Sequence, residues 1–333
     1  MKTGWLFLGL FVLLLSAGCA RKIIATNTET LPRVNTESNT HGPAVSFKEN
    51  SVKDTIIQAE INNVQTEINK EPVARIVYTP AGKYTKANQL YFEMIDSLTK
   101  VISEYPVQDS SGLSYAPDWV GTPNMGLRRP NYVIIHHTAT NNCGETLHEF
   151  TTAGGREASA HYVICEDGTV YHMLNDLLRS HHAGESKWGN TTDLNSSSIG
   201  IELNNNGYEP FTEPQIRSLT ILLDRLKTAY KIPGANFIGH GDVAPTRKED
   251  PNWRFPWQEL SEKGFGLWWD DTSNIKVPEN FDYMMALRIV GYDVSTPASA
   301  ISAFKRHFLK DPKNGMTPAA IKILFALYRK YYD

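Results

Sequence analysis

The stretch 240–257, HGDVAPTRKEDPNWRFPW, holds an imidazole and a carboxylate of the types that can share a metal ion, His240 and Asp250. Pro245 and Pro251 argue against a regular helix here, because each lacks an N–H and restricts the residue before it. If the chain between them is extended, residues two apart point the same way, and Lys248 faces the same place as Asp250. A catalytic zinc takes about three protein ligands and keeps one position open for water. The third ligand must come from elsewhere in the chain. His136, directly after an apolar run, is the best placed. His137 competes with it, but adjacent strand residues face opposite sides, so only one of the pair can reach the metal. His161, His172, His181 and His182 are further options, although a lone histidine is more often packed or hydrogen-bonded than a ligand.

The elements that position these residues can be read from periodicity. Tyr132-Val133-Ile134-Ile135 reads as a strand buried on both faces. His161-Tyr162-Val163-Ile164 and Val170-Tyr171-His172-Met173 flank Asp167-Gly168, a hairpin signal. Along Ile199-Gly200-Ile201-Glu202-Leu203 the Ile and Leu side chains share one face, leaving Gly200 and Glu202 on the other. A helix follows, with Thr212 as N-cap, Gln215 completing a capping box and Pro214 in the first turn. Its apolar stripe is Ile216, Leu219, Leu223, Leu226 and Tyr230. Phe237-Ile238 is a last short strand leading into His240. Strands mixed with helices, and chemistry at strand ends, predict an α/β domain over residues 115–262. Beyond Trp269, residues 281–290, 299–309 and 317–332 each read as a short amphipathic helix, with Gly291 suited to a C-terminal cap. Thr296-Pro297 and Thr317-Pro318 look like N-caps followed by proline in the first helical position. A small bundle over 275–333, separate from the α/β domain, is expected.

The N-terminus has a different texture. Lys2, an apolar run from Trp5 to Leu15 and then Ser16-Ala17-Gly18-Cys19 mark a secretory signal over residues 1–18. Cys19 after Ala17-Gly18 resembles a bacterial lipobox, in which the cysteine is acylated; Ser16 departs from the usual leucine, and plain secretion with cleavage near Gly18 is the alternative. Ala20 after the cysteine then implies the outer membrane of a bacterial envelope, facing the periplasm. Residues 19–85 are polar and poor in aromatics, as in a tether that cannot fold alone. Within 86–114, Leu90, Tyr91, Met94, Leu98, Val101, Ile102 and Tyr105 share one helical face, which is expected to dock on the following domain, a partner being the other option. A net charge of -3 argues against nucleic acid as a partner. Cys143 and Cys165 could pair in an oxidising compartment or stay free and buried. Nothing demands a dimer.

Three motifs, Ile134-Ile135-His136-His137-Thr138-Ala139, Ser198-Ile199-Gly200-Ile201-Glu202, and Gly239-His240 through Asp250-Pro251, together resemble the zinc-dependent N-acetylmuramoyl-L-alanine amidases of the type 2 amidase family. The family shares its fold, a central mixed β-sheet flanked by helices, with peptidoglycan recognition proteins and phage amidases of the T7 lysozyme type. The resemblance covers roughly residues 125–260 and is closest to lipid-anchored outer-membrane amidases with a C-terminal three-helix, peptidoglycan-binding-like module; Gly266-Leu267-Trp268 and 286–293 support that part.

The resemblance implies one Zn²⁺ held by His136, His240 and Asp250, with Glu202 as the catalytic acid–base and Lys248 as the oxyanion partner. It implies that the scissile bond joins N-acetylmuramic acid to L-alanine in peptidoglycan or muropeptides. His182-Ala183-Gly184 is similar to a family motif near the substrate cleft, so His182 is a candidate substrate contact, and Trp188 could line the same cleft. Trp253 and Trp257 could pack the loop or touch sugar, and Asp242 and Arg247 are expected to tie the loop down. A non-catalytic wall-binding lipoprotein would lack a metal ligand, whereas all three are present. A zinc peptidase cutting within the stem peptide would keep the metal and change the bond.

Overall fold

β1 (Tyr132–His137) lies between β4 (Ser198–Leu203) and β5 (Phe237–Gly239), both parallel to it. β2 (Tyr162–Ile164) runs parallel along the far edge of β4, and β3 (Val170–His172) pairs antiparallel with β2. The order β3-β2-β4-β1-β5 makes a mixed five-stranded sheet, as the family resemblance implies. This computed structural model describes residues 82–103, 122, 124–152, 157–311 and 315–332. The signal segment, Cys19 and the tether as far as residue 81 lie outside the described residues.

The β2–β3 hairpin turns at Asp167-Gly168 because Gly168 adopts φ +87, closing with a Cys165 N–H bond to the Thr169 carbonyl at 2.9 Å. Alternation along the strands assigns the two faces of the sheet. Val133, Ile135, Ile199, Ile201 and Leu203 meet Ile216, Leu219, Leu223 and Leu226 in one large core. Ile134 and Ile238 face the other way and pack with Ala183, Leu194 and Val243. The packing helix on the first face spans Glu213–Tyr230. Its N-cap forms as expected, with Thr212 Oγ accepting from Gln215 N–H at 3.3 Å. The reciprocal half of the capping box does not form. The Gln215 amide instead donates to the Ile164 and Asn204 carbonyls, both at 3.0 Å, satisfying acceptors at two strand ends that would otherwise be buried unpaired.

A helix over Cys143–Thr151 was not anticipated, although Asn142 and Glu145 carry its N-cap signal; Asn142 Oδ1 accepts from Glu145 N–H at 3.0 Å. Its first residue, Cys143, is disulfide-bonded to Cys165 at the end of β2. The helix over Thr85–Ser103 forms, but none of its residues is buried, and Val101 and Ile102 on its apolar face are exposed. The expected docking of that face is therefore not made among the described residues. No described helix is long and apolar enough to cross a membrane.

The C-terminal helices span Tyr283–Val290, Pro297–Leu309 and Pro318–Tyr332, close to the expected bounds, and Gly291 closes the first at φ +133. They do not form a separate bundle. Leu287, Phe304, Phe308 and Leu324 belong to the same continuous core as Leu219, Trp257 and Leu267. Each helix carries one apolar stripe, and so small a bundle hides little surface by itself, so the stripes are buried against the sheet domain. Phe304→Ala is expected to lower the stability of the whole unit by about 3–5 kcal/mol, with a single calorimetric transition; a second transition from the C-terminal helices alone would show a divided core.

Candidate active site

The carboxyl ends of the parallel strands converge on one buried cluster. In-register pairing of β1 with β4 sets His136 directly beside Glu202. β5 hands over to a single helical turn, His240–Val243, which begins with His240. No regular helix runs through the stretch, as the prolines predict; the helical part is confined to this one turn, which ends before Pro245. The chain then returns, and a bond from Gly241 N–H to the Asp250 carbonyl, 2.5 Å, closes the loop and delivers Asp250 to His240.

His136 Nδ1 and His240 Nδ1 lie 3.1 and 3.0 Å from Asp250 Oδ2, and donor atoms of the three side chains all fall within 4.8 Å of one another. Glu202 Oε1 stands 3.8 Å from His136 Nδ1. All four side chains are buried. Among the described residues this is the one group of His, Cys, Asp and Glu with such spacing. The other histidines are elsewhere. His137 faces the opposite side of β1 and accepts the Asn252 N–H at 3.1 Å. His172 stacks on Tyr162, His181 is exposed, and His161 Nδ1 accepts the Gly200 N–H at 3.0 Å.

Hydrogen bonds behind the cluster dictate which ring nitrogens carry protons. The Ser198 hydroxyl donates to the Leu194 carbonyl at 2.5 Å, so its oxygen accepts from His182 Nε2–H at 3.0 Å. His182 Nδ1 is then an acceptor, and His136 Nε2–H donates to it at 3.0 Å. His136 Nδ1 is left bare, facing Asp250. His240 Nε2–H donates to the Ala183 carbonyl at 3.2 Å, which can only accept, and this turns its Nδ1 towards Asp250. The loop supplying both anchors is held by Asn195, whose Oδ1 accepts from the backbone of His182 and Ala183 at 3.0 and 2.8 Å. Gly200 lies flat under His182, and a Cβ there would overlap the ring.

His182, whose motif suggested a place near the substrate cleft, is held by these bonds. It is 8% exposed and sits behind His136. Trp188 packs edge-on against Tyr292, and Trp257 is buried and stacked on His307. Trp253 is half-exposed beneath the Arg254 guanidinium. Asp242 and Arg247 do tie the loop down. Asp242 accepts the Gly239 N–H at 3.1 Å, and Arg247 Nε donates to the Glu185 carbonyl at 2.9 Å. The roles of Ser198, Asn195, Tyr292 and His307 are not legible in the sequence, where no spacing distinguishes them from other polar residues.

Burial, reinforced by His240, pushes His136 down to about 4. Lys248 is half-buried, and its charge adds to this effect after burial and His240. Burial alone would raise Asp250, but His240 and the contacts with both histidines outweigh it and hold the carboxyl well below its usual range. At neutral pH His136 is thus a neutral imidazole beside the Asp250 carboxylate, donors of the kind that suit a metal ion.

The fold is an α/β sheet with a potential metal-binding triad at its strand ends. Residues 126–253 match the family described as N-acetylmuramoyl-L-alanine amidase. The chain is 30% identical over 236 residues to the N-acetylmuramoyl-L-alanine amidase AmiD of Escherichia coli, covering 61% of this chain and 84% of the relative. A solved complex of that enzyme with the substrate anhydro-N-acetylmuramic acid-L-Ala-D-gamma-Glu-L-Lys superposes with a TM-score of 0.55, over 63% of this chain and 93% of the other at 28% identity. AmpDh3 of Pseudomonas aeruginosa superposes at 0.57, also 28% identical, over 66% of this chain and its own full length. The chain belongs to the N-acetylmuramoyl-L-alanine amidases.

Both His136 and His161 have folded values near 4, below the unfolded 6.5, so the unfolded chain binds protons that the native one does not. Stability of the metal-free protein, full above pH 6.5, is expected to fall as pH drops towards about 4, by on the order of 3 kcal/mol per histidine. Urea midpoints measured in chelator across that range check this, and His161→Gln should flatten the slope.

Proposed function

We propose that the protein hydrolyses the amide bond between the lactyl group of N-acetylmuramic acid and L-alanine, in peptidoglycan or muropeptides, with one zinc ion held by His136, His240 and Asp250. The observation that carries this reading is the approach of His136 Nδ1 and His240 Nδ1 to one carboxylate oxygen at 3.1 and 3.0 Å. For His136, whose hydrogen points to His182, a lone pair facing the carboxylate is favourable only with a cation between them. Ligand atoms around a tetrahedral zinc at ~2.0–2.2 Å are about 3.4 Å apart, close to the observed spacing. Zinc in this position would supply an acidified water and a Lewis acid for the amide carbonyl.

The protein's own side chains then divide the work. Glu202, beside His136 but outside the triad, takes a proton from the attacking water as the new C–O bond forms. It returns that proton to the leaving nitrogen of L-alanine as the C–N bond breaks, so the carboxylate is regenerated. Lys248 offers its ammonium to the carbonyl oxygen as negative charge develops there. His182 and Ala183 hold the two ligand rings in the correct tautomer throughout.

The envelope assignment rests on Cys19 and the apolar run before it: a lipid anchor in the outer membrane, with the polar tether giving reach to the wall. The disulfide between Cys143 and Cys165 supports an oxidising compartment.

Mass spectrometry of digested muropeptides tests the reaction. The expected products are a peptide-free muramic acid sugar and an intact stem peptide starting at L-alanine; cuts within the stem would replace the amidase reading with a peptidase one. Glu202→Ala is expected to retain zinc and lose about 10²–10⁴ in rate, whereas His136→Ala should lose both.

A further inference from the structure

The corner Gly291–Tyr292–Asp293 and the helix over Pro297–Leu309 touch two different elements beside the cluster. The first is the turn that carries His240. Asp242 lies two residues beyond it, and its carboxylate is saturated by donors. Oδ1 accepts from the Tyr292 hydroxyl at 3.0 Å; Oδ2 accepts from His307 Nδ1–H at 2.7 Å and from Gly239 N–H at 3.1 Å. Asp242, Tyr292 and His307 are all buried. The His307 ring is fixed by near-parallel stacking on Trp257, with centroids 4.1 Å apart. Arg306, the neighbour of His307, lies flat against Gly241, where a Cβ would overlap its guanidinium.

The second element is the loop after His182, whose His182 and Ala183 set the tautomers of both ligand histidines. Gly189 N–H donates to the Gly291 carbonyl at 2.7 Å, and Lys187 Nζ lies 3.3 Å from Asp293 Oδ1. Between them Trp188 rests on Gly291, where any Cβ would overlap the indole. Lys187 N–H in turn bonds to the Val243 carbonyl at 2.8 Å, joining the loop to the His240 turn. One corner of the C-terminal segment therefore grips both the turn that carries one ligand and the loop that orients two.

We propose that Tyr292 and His307 are positioning residues for the metal site: the C-terminal helices hold the His240 turn and the 182–189 loop where both Nδ1 atoms meet Asp250. Hydrogen bonds to the ligands themselves typically govern metal retention by about 10–100-fold; Tyr292 and His307 act one step further out, through Asp242, so the low end of that range is expected. The proposal rests on the reading that His136, His240 and Asp250 hold zinc. It gives the C-terminal helices a part in the chemistry whether or not they also touch the wall.

The test is zinc affinity of the full-length chain, by competition with a chromophoric chelator, at a temperature where circular dichroism shows each variant folded. Tyr292→Phe removes one oxygen and keeps the ring. His307→Leu removes the second donor, and His307→Asn restores a donor near the Nδ1 position. Tyr292→Phe and His307→Leu are each expected to weaken zinc binding about tenfold or more, with His307→Asn close to wild type. If Tyr292→Phe binds zinc within twofold of wild type while His240→Ala has lost it, the contacts only stabilise the fold and the positioning role is overturned. A wild-type chain that does not hold zinc would overturn the metal reading and this proposal with it.

Discussion

Two imidazoles and a carboxylate are buried in contact, with both Nδ1 atoms facing the same carboxylate oxygen. A buried group this polar is tolerated only when every donor and acceptor around it is accounted for. Each histidine carries a hydrogen on its outer nitrogen, and much of the surrounding structure serves that arrangement. Ser198 commits its hydrogen to the Leu194 carbonyl and so orients His182, which orients His136. The Ala183 carbonyl orients His240. Gly200 leaves the room that the His182 ring needs. Burial then keeps His136 neutral at ordinary pH, so the arrangement does not collapse into a simple ion pair.

The sheet converts register into chemistry. Parallel pairing sets residue against residue, so the ends of β1 and β4 put His136 and Glu202 side by side without any loop adjusting them. β5 then delivers His240 at the same edge of the sheet. Ligand sites in open α/β sheets form at the carboxyl ends of the strands, because the chain there leaves the sheet and its side chains can converge. The closing bond from Gly241 to Asp250 adds the one ligand that neither lies on a strand nor directly follows one.

The C-terminal helices share this economy of support. Their apolar stripes extend the core on which the sheet already rests, and the buried Tyr292 and His307 both bond to Asp242. A segment that reads along the chain as an appended module is thus continuous in packing with the catalytic sheet. Packing of this kind, unlike a linker, transmits position as well as stability.

The sequence by itself determined the local elements and the cast of the site. Alternation in 199–203 separates Glu202 from the core face, the run 132–135 places His136 at a strand end, and the N-cap at Thr212 starts a helix where one is found. These were legible because each is written in a few consecutive residues with a fixed period. The destination of His182, the half-used capping box at Gln215 and the merging of the C-terminal helices with the core were not legible. Each depends on what lies opposite in space, and residues such as Ser198, Tyr292 and His307 gain their roles only from partners far away in the chain. Local periodicity records which face a side chain takes, whereas the identity of its neighbour, and with it the proton on each imidazole, is decided only when the elements pack.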